Sequence, residues 1–521
     1  MSAPPPPYRC EIDIAAPNDA VREAARALFE SDTAFLLHTE LREDMAVTVE
    51  YHSEGGRTRV VFSGERSERL PYFHWFLAYN LNRLSRRALT YEARRLAAHA
   101  EGQPEPVRPK RSVFAPPVAF NHHEASTLAT ICAITFVAGV GSSLFSGNSN
   151  VVADAYAVSD RALSFGSAAT RAGVLVGLVA AAIADRIGRR KVLLFSAAGV
   201  CVASGLSAVA PTFETFVASQ LLARGLFNAV LVVATIVAIE EAPERGRSYA
   251  VAMVTLAWGG GGALATVLLP IGDLGAEAWR VSFAVSAALI VFVPSFARNL
   301  TETTRFTDVV DRFLPRGRVG ELFGDVYRRR AVLILGASLL TNIMAAASSG
   351  LANRFLGDER GFSQTEIALF LAVVAGIPGL VGLFIGGRLA ETIGRKPVSI
   401  VGLILGSVST MAFFLVDGPA LWILGTIDSF IAAAAATALR SLGPELFPTE
   451  VRGTANAAFL VLGLIGSAIG LVSTGILSES WSLGASIAVL GVFPIIAAVA
   501  LIPFLPEPAG QELDAISPPA V

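Results

Sequence analysis

The feature that most constrains this chain is a series of long, uninterrupted apolar runs that begins near residue 126. A helix needs about 20 apolar residues to cross the roughly 30 Å hydrocarbon core of a bilayer. Runs such as SAALIVFVPSFA do not alternate as the strands of a membrane β-barrel would. Twelve runs occur, near 126–147, 163–184, 192–210, 213–239, 248–270, 279–297, 329–352, 363–386, 397–416, 420–438, 453–477 and 483–505. The sequence therefore predicts an all-α membrane protein with twelve transmembrane helices, numbered 1 to 12 in chain order.

Composition supports the lipid bilayer as the main partner of the chain. Only 16% of the residues are charged, whereas soluble domains have about 25%. The net charge of -2 argues against nucleic acid as a partner, because nucleic-acid-binding domains are basic. The cysteines have no metal-site spacing, and no ATP-binding GxxxxGK[ST] loop, cofactor motif or nucleophile–base pattern occurs. We therefore expect no cofactor, no metal and no enzymatic activity.

The distribution of Lys and Arg predicts the orientation of the helices. Basic residues concentrate in the loops that follow helices 2, 4, 6, 8 and 10, whereas odd-numbered helices are followed by acidic or neutral loops such as GDLGAEAW and SESWS. Loops rich in Lys and Arg stay on the cytoplasmic side. We expect a multi-pass protein of the plasma (inner) membrane with both termini in the cytoplasm.

A charged segment is repeated in the apolar part of the chain. ADRIGRRK follows helix 2, and AETIGRKP follows helix 8 at the equivalent place. A loop over 298–328 separates six helices from six. This internal repeat predicts an N-terminal six-helix bundle (126–297) and a C-terminal six-helix bundle (329–505), followed by a cytoplasmic tail (506–521).

Residues 1–110 differ and predict a small cytoplasmic α/β domain, joined by a Pro-rich linker (111–125). A strand-like YRCEIDIAAP precedes a helical NDAVREAARALFE, a hairpin is expected around Gly55-Gly56, and a long amphipathic helix follows. The opening faintly resembles the START-like ligand-binding fold, which implies a small ligand, although too few strands follow to complete that barrel. The arginines of the long helix form either a solvated face or a contact with the anionic inner leaflet.

Several loop motifs together resemble a known transporter family. ADRIGRRK and AETIGRKP are similar to the repeated loop motif of the major facilitator superfamily, and EEAPERGR and PELFPTEVRG to its second repeated signature. LTETTRF and LPEPAGQELDAI resemble the sugar-porter branch and its metabolite:proton symporter relatives. The resemblance implies that two six-helix bundles alternately expose a central site to each side of the membrane.

The charges in these loops are candidates for a cytoplasmic gate. Acid–base pairs between neighbouring helix ends lose most of their strength when the helices separate and water enters. The alternative is that they are ordinary inner-face anchors. The predicted gating residues are Asp185, Arg189, Glu241, Arg245, Arg247, Glu302, Arg305, Glu391, Arg395, Glu445 and Arg452.

Polar residues inside the apolar runs are candidates for the solute and coupling site, because buried charges in a membrane are costly. Arg224 resembles the helix 4 arginine of the family. Asn148, in FSGN, stands where proton-coupled sugar porters have an Asp. Asp428 is the substitute proton carrier, or else a structural partner of Arg171 or Arg224. Arg171 either contacts an anionic substrate or pairs with an acid such as Asp154.

Helices 5 and 7 add two further candidates. Asn342 lies in LLTNIMAAASSGLAN, and Trp258 lies beside four consecutive glycines. Together these residues predict a secondary transporter of a small polar organic solute (a metabolite, organic acid or sugar), coupled to protons. The alternatives are a facilitator, a proton-driven multidrug exporter, or a transporter-like receptor that signals through the N-terminal domain.

Overall fold

The computed structural model describes residues 8–37, 45–54, 56–66, 71–72, 74–108, 120–243, 246–303, 328–445, 447 and 449–507. Within them, an N-terminal sheet domain precedes a membrane part that is entirely helical.

The N-terminal part is an antiparallel four-stranded sheet with two helices. Its elements are β1 (Tyr8–Ile14), α1 (Asn18–Phe29), β2 (Ala34–Leu37), β3 (Met45–Glu54), β4 (Arg57–Arg66) and α2 (His74–Ala100). The strand order is β1-β4-β3-β2. Gly56 joins β3 to β4 with a left-handed φ of 82°, a conformation that glycine adopts readily. Ile14, Phe62 and Leu89 form a common core, so sheet and helices bury one shared apolar layer.

The membrane helices follow the predicted apolar runs closely. They are helix 1 (His122–Gly147), helix 2 (Asp160–Arg171 and Val174–Ile187), helix 3 (Arg189–Ala208), helix 4 (Phe213–Glu241), helix 5 (Arg247–Val267, continued by Leu269–Leu274), helix 6 (Trp279–Asn299), helix 7 (Arg328–Arg354, continued by Phe355–Glu359), helix 8 (Gln364–Phe370, Leu371–Gly376 and Ile377–Thr392), helix 9 (Arg395–Leu415), helix 10 (Pro419–Glu445), helix 11 (Thr449–Leu477) and helix 12 (Leu483–Phe504). A short helix α3 (Ser149–Ala155) follows helix 1.

The second apolar run differs from the expected continuous helix. In the part of the chain that the structure describes, 11 helices are long and apolar enough to cross a membrane, and helix 2 is absent from that set. It is divided at Ala172–Gly173 into pieces of 12 and 14 residues. Because both pieces follow one another through the same apolar run, we count them as one crossing.

Helix 1 begins four residues earlier than expected, inside the predicted linker. The Asn121 side chain accepts from the main-chain N–H of Glu124, and the Glu124 carboxylate accepts from that of Asn121, each at 2.9 Å. This capping box satisfies two N–H groups that would lack helical partners, so the helix extends back to His122.

The membrane helices form two groups of six. Helix 1 packs on helix 5, helix 3 on helix 4 and helix 7 on helix 11, and helix 10 packs on both helix 8 and helix 9. The two groups meet where the first piece of helix 2 packs on helix 11 and the end of helix 5 packs on the start of helix 8. The predicted architecture of two six-helix bundles is confirmed.

Tyr72, just before α2, connects the N-terminal part to helix 6. Its hydroxyl lies 2.7 Å from the Ser295 hydroxyl and accepts from the Asn299 amide at 3.0 Å. Its ring packs edge-on against Phe296, with ring centroids 5.4 Å apart. This contact fixes one point of the N-terminal part against the end of a membrane helix.

Candidate solute site and gates

The break in helix 2 lies at a close contact with helix 4. A Cβ on Gly173 would lie only 2.7 Å from the main-chain N of Gly225, so only glycine allows this approach. One turn later, Gly177 packs in the same way against Asn228. Small residues spaced by four let helix backbones approach in membranes. The contact therefore places the residues beside it, Arg171 and Arg224, next to each other.

Arg171 and Arg224 are two cations in the middle of the membrane part. Both guanidinium groups lie deep in the protein, and the charge of Arg224 acts on Arg171. Each side chain is nevertheless half-buried, so part of its surface is not covered by the protein. The Arg171 Nη2 donates to the carbonyl of Ala346 on helix 7 at 3.2 Å and packs beside Gly350. Arg171 therefore bridges the two bundles.

Asp428, in helix 10, contacts helix 9. Among the described contacts, none joins Asp428 to an arginine. Its Oδ1 is 2.5 Å from the Thr410 hydroxyl. The same hydroxyl lies 2.9 Å from the carbonyl of Gly406. The predicted alternatives of a pair with Arg171 or Arg224 are thus replaced by a hydrogen bond inside the C-terminal bundle.

The side chains of three other predicted site residues contact their own helix or a neighbouring helix. Asn148 is fully buried, and its amide donates to the carbonyl of Leu144 at 3.0 Å. The Asn342 amide donates to the carbonyl of Ser338 at 2.8 Å. Trp258 is half-buried, with its ring centroid 5.8 Å from that of Phe227. None of the contacts described for these three residues is with Arg171 or Arg224.

On the predicted outer face, Arg354 of helix 7 forms a charged cluster that sequence reasoning missed. Its guanidinium is 2.7 Å from Asp154, 2.9 Å from Asp160 and 2.5 Å from Asp358. Asp154 and Asp160 belong to the N-terminal half, so the cluster joins the two bundles. Asp154 is therefore engaged with Arg354 and not with Arg171. The acids in the loops of this face were visible in the sequence, but their common partner was not.

Two further polar contacts join the bundles on the same face. The Asp273 carboxylate accepts from the main-chain N–H groups of Gln364 and Thr365 at 2.8 Å each. Arg161 and Glu479 form an ion pair at 2.7 Å. These contacts join the two halves along the predicted outer side. Each of them forms only when both halves meet.

On the predicted cytoplasmic face, two glutamates cap the N-termini of helices 3 and 9, which occupy equivalent positions in the two halves. The Glu302 carboxylate accepts from the main-chain N–H of Arg189 at 2.9 Å and of Arg190 at 3.2 Å. Glu507 does the same for Arg395 at 2.9 Å and for Lys396 at 2.8 Å. Gly188 and Gly394, which precede these helices, have φ of 103° and 121°, so that the chain turns in a conformation suited to glycine. Glu507 was not among the predicted gating residues, although its motif matches that of Glu302.

The remaining predicted gating residues fall into three groups. Arg189 pairs with Glu240 at 3.1 Å and Glu241 lies 3.6 Å from His123, both inside the N-terminal bundle, while Arg247 starts helix 5 and is half-buried. Arg245 and Arg305 lie outside the described residues. Of Asp185, Glu391, Glu445 and Arg452, only the backbone is described, and it is helical.

Comparison with known proteins agrees with this architecture. The Major Facilitator Superfamily profile matches residues 131–377 and 333–518. A putative metabolite transport protein of Haemophilus influenzae is 29% identical over 66% of this chain and 86% of its own length. A probable 4-methylmuconolactone transporter of Cupriavidus pinatubonensis is 26% identical over 69% of this chain and 88% of its own. The inward open xylose transporter XylE of Escherichia coli has a TM-score of 0.59 at 17% identity, with 75% of this chain and 99% of that chain covered. Because the profile spans most of the chain, the protein belongs to the Major Facilitator Superfamily, a class of transporters and not of enzymes.

Proposed function

We propose that this chain is a secondary active transporter that moves a small polar organic solute by alternating access, with protons as the coupling ion. The observation that carries the proposal is the contact between the bundles on the outer face, around Arg354, while the described charges of the cytoplasmic face pair inside one bundle. This arrangement corresponds to a state closed to the outside. Moving the bundles apart there and together on the opposite side exposes the site alternately.

Asp428 supports proton coupling through the hydrogen bonds of Thr410. A hydroxyl has one proton to donate, yet the Thr410 oxygen lies within hydrogen-bonding distance of two acceptors, the Gly406 carbonyl and Asp428. Both contacts are satisfied when Asp428 is protonated and donates to Thr410. An acid that can hold or release a proton inside the membrane part is the element that proton coupling needs.

The names of the relatives support an organic solute. Both curated relatives named above are described as transporters of metabolites or of an organic lactone. Since the chain has no ATP-binding loop among its residues, a gradient is the proposed energy source.

The test is uptake into liposomes that contain the purified chain, with the solute first identified by thermal stabilisation across a metabolite library. In the Asp428→Asn variant we expect accumulation driven by a pH gradient to be lost, because an amide cannot carry the proton. Exchange of labelled for unlabelled solute on both sides is expected to persist, since it needs no net proton movement.

Asp417→Asn is the matched control, because Asp417 is an exposed acid of the same half that pairs with Arg360 at 2.8 Å. It should accumulate solute normally. Normal pH-driven accumulation by Asp428→Asn would remove Asp428 from the mechanism, and gradient-independent equilibration by the unmodified chain would establish a facilitator instead.

We also propose that the chain lies in the plasma (inner) membrane with both termini in the cytoplasm. The concentration of Lys and Arg in the loops after even-numbered helices supports this orientation. A tag at either terminus should be labelled only after the cells are permeabilised. Labelling of intact cells at one terminus would reverse the assignment for that end.

A further inference from the structure

We propose, on the basis of the transport function above, that Arg171 and Arg224 together bind a carboxylate group of the solute, which makes the solute an organic acid. The helices that carry the two arginines meet at Gly173 and Gly225, the charge of Arg224 acts on Arg171, and neither side chain is fully covered by the protein.

No contact found among the described residues neutralises the charge of Arg171 and Arg224. Like charges close together repel one another, and a buried charge in a membrane protein is costly unless it is neutralised or hydrated. The contact found for the Arg171 guanidinium is a main-chain carbonyl, which carries no net charge. For Arg224, burial is the influence found, and no described acid is among its electrostatic neighbours.

Four described acids, among them the predicted partners Asp428 and Asp154, are engaged elsewhere. Asp428 contacts Thr410, and Asp154 and Asp160 contact Arg354. Asp273 holds the start of helix 8. An anion from outside the chain is therefore the partner that two guanidinium groups require, and the planar fork of arginine matches a carboxylate with two parallel hydrogen bonds.

The position of the pair connects anion binding to the movement of the bundles. Arg171 belongs to helix 2 of the N-terminal half but donates to Ala346 of helix 7 in the other half. A carboxylate that competes for the Arg171 guanidinium would change a contact between the two halves. The hydrogen bond from Arg171 to Ala346 would thus respond to the solute.

The first measurement is thermal unfolding of the full-length chain in detergent with pairs of probes that differ only in charge: benzoate against benzamide, and nicotinate against nicotinamide. We expect the carboxylates to raise Tm and the carboxamides to leave it unchanged. In Arg171→Gln and Arg224→Gln, carboxylate affinity should fall roughly 10- to 100-fold, the range of a lost hydrogen bond to a charged group. Arg171→Lys keeps the positive charge but lacks the planar guanidinium with its paired donors, and should bind the carboxylates with intermediate affinity.

Arg298→Gln is the matched control, because Arg298 is an exposed arginine of helix 6 and its loss changes the net charge equally. It should keep full carboxylate binding. The Tm of the ligand-free variants separates a binding role from a structural one. For Arg224, whose guanidinium has no hydrogen bond among the described contacts, removing one of two repelling cations should leave Tm unchanged or raise it, whereas loss of a structural arginine would lower it. Arg171→Gln also loses the hydrogen bond to Ala346, so its ligand-free Tm is expected to fall and only its carboxylate affinity is diagnostic.

Equal stabilisation by benzoate and benzamide, or unchanged benzoate affinity in both glutamine variants, would overturn the assignment. Stabilisation by phenyl phosphate but not by benzoate would also overturn it. If the chain accumulates neutral solutes and ignores carboxylates, this inference fails and the transport function stands. If carboxylates bind through the two arginines but never cross the membrane, the transport function fails and the binding site stands.

Discussion

At the scale of single residues, one carboxylate caps the N-terminus of helix 3, and another caps the N-terminus of helix 9. Glu302 and Glu507 each accept from two main-chain N–H groups that have no partner inside their helix. A negative charge is also favourable at the positive end of a helix. The two acids follow helices 6 and 12, so each ties the last helix of a bundle to the middle of the same bundle.

We expect Glu302→Ala and Glu507→Ala each to destabilise the chain by about 1–3 kcal/mol, since charge-assisted hydrogen bonds to N–H groups are lost. Glutamine at either position still accepts a hydrogen bond but has no charge, and should give an intermediate loss. Thermal unfolding in detergent measures the series. Equal Tm values for the alanine variants and the unmodified chain would show that water replaces the carboxylates without cost.

At the scale of helices, the contact between Gly173 and Gly225 lies at the break of helix 2 and allows the close approach of helix 2 to helix 4. In Gly173→Ala the new Cβ would meet the Gly225 N at 2.7 Å and the Leu221 carbonyl at 3.0 Å. Because these are backbone atoms, the helices must separate, at a cost of about 1–3 kcal/mol. Arg171 and Arg224 flank the contact, so we expect both Tm and solute affinity to fall.

Gly259→Ala provides the comparison for that prediction. Gly259 lies inside helix 5, and a Cβ there would meet no atom within 4 Å. Alanine should be neutral or stabilising there, because it favours a helix by about 1 kcal/mol over glycine. Similar losses in both variants would indicate a general sensitivity to alanine rather than a specific helix contact.

The predictability of this fold from sequence differs between its elements. Helix 4 was expected over 213–239 and spans Phe213–Glu241, because apolar runs and flanking charges are local signals. The break after Arg171 was not predictable, since Ala172 and Gly173 have no local breaking signal such as proline, and the contact of Gly173 with Gly225 involves another helix. The partners of Arg354 were hidden for the same reason, because Asp154 is 200 positions away in the chain.

At the scale of the whole molecule, the contacts on the predicted outer face and the repeated carboxylate caps have different consequences. The caps of Glu302 and Glu507 act inside one bundle each and can persist while the bundles move. The ion pairs of Arg161 and Arg354 connect different bundles and must break whenever the outer side opens. Water that enters the gap between the bundles weakens each of these ion pairs to about 0–1 kcal/mol. Several such pairs together therefore do not prevent the bundles from separating on the outer side.

A covalent link across that face should therefore stop transport. We expect Arg161→Cys with Glu479→Cys, joined by a short bis-methanethiosulfonate, to abolish uptake and to recover it after reduction, because the natural ion pair spans 2.7 Å between the halves. Background labelling is limited by the burial of Cys132 and Cys201, and Cys10→Ser removes the remaining thiol. Linking Arg360→Cys to Asp417→Cys, a pair inside the C-terminal half, should leave uptake unchanged. Full-speed uptake by the first linked protein would mean that the bundles do not separate on this side during transport.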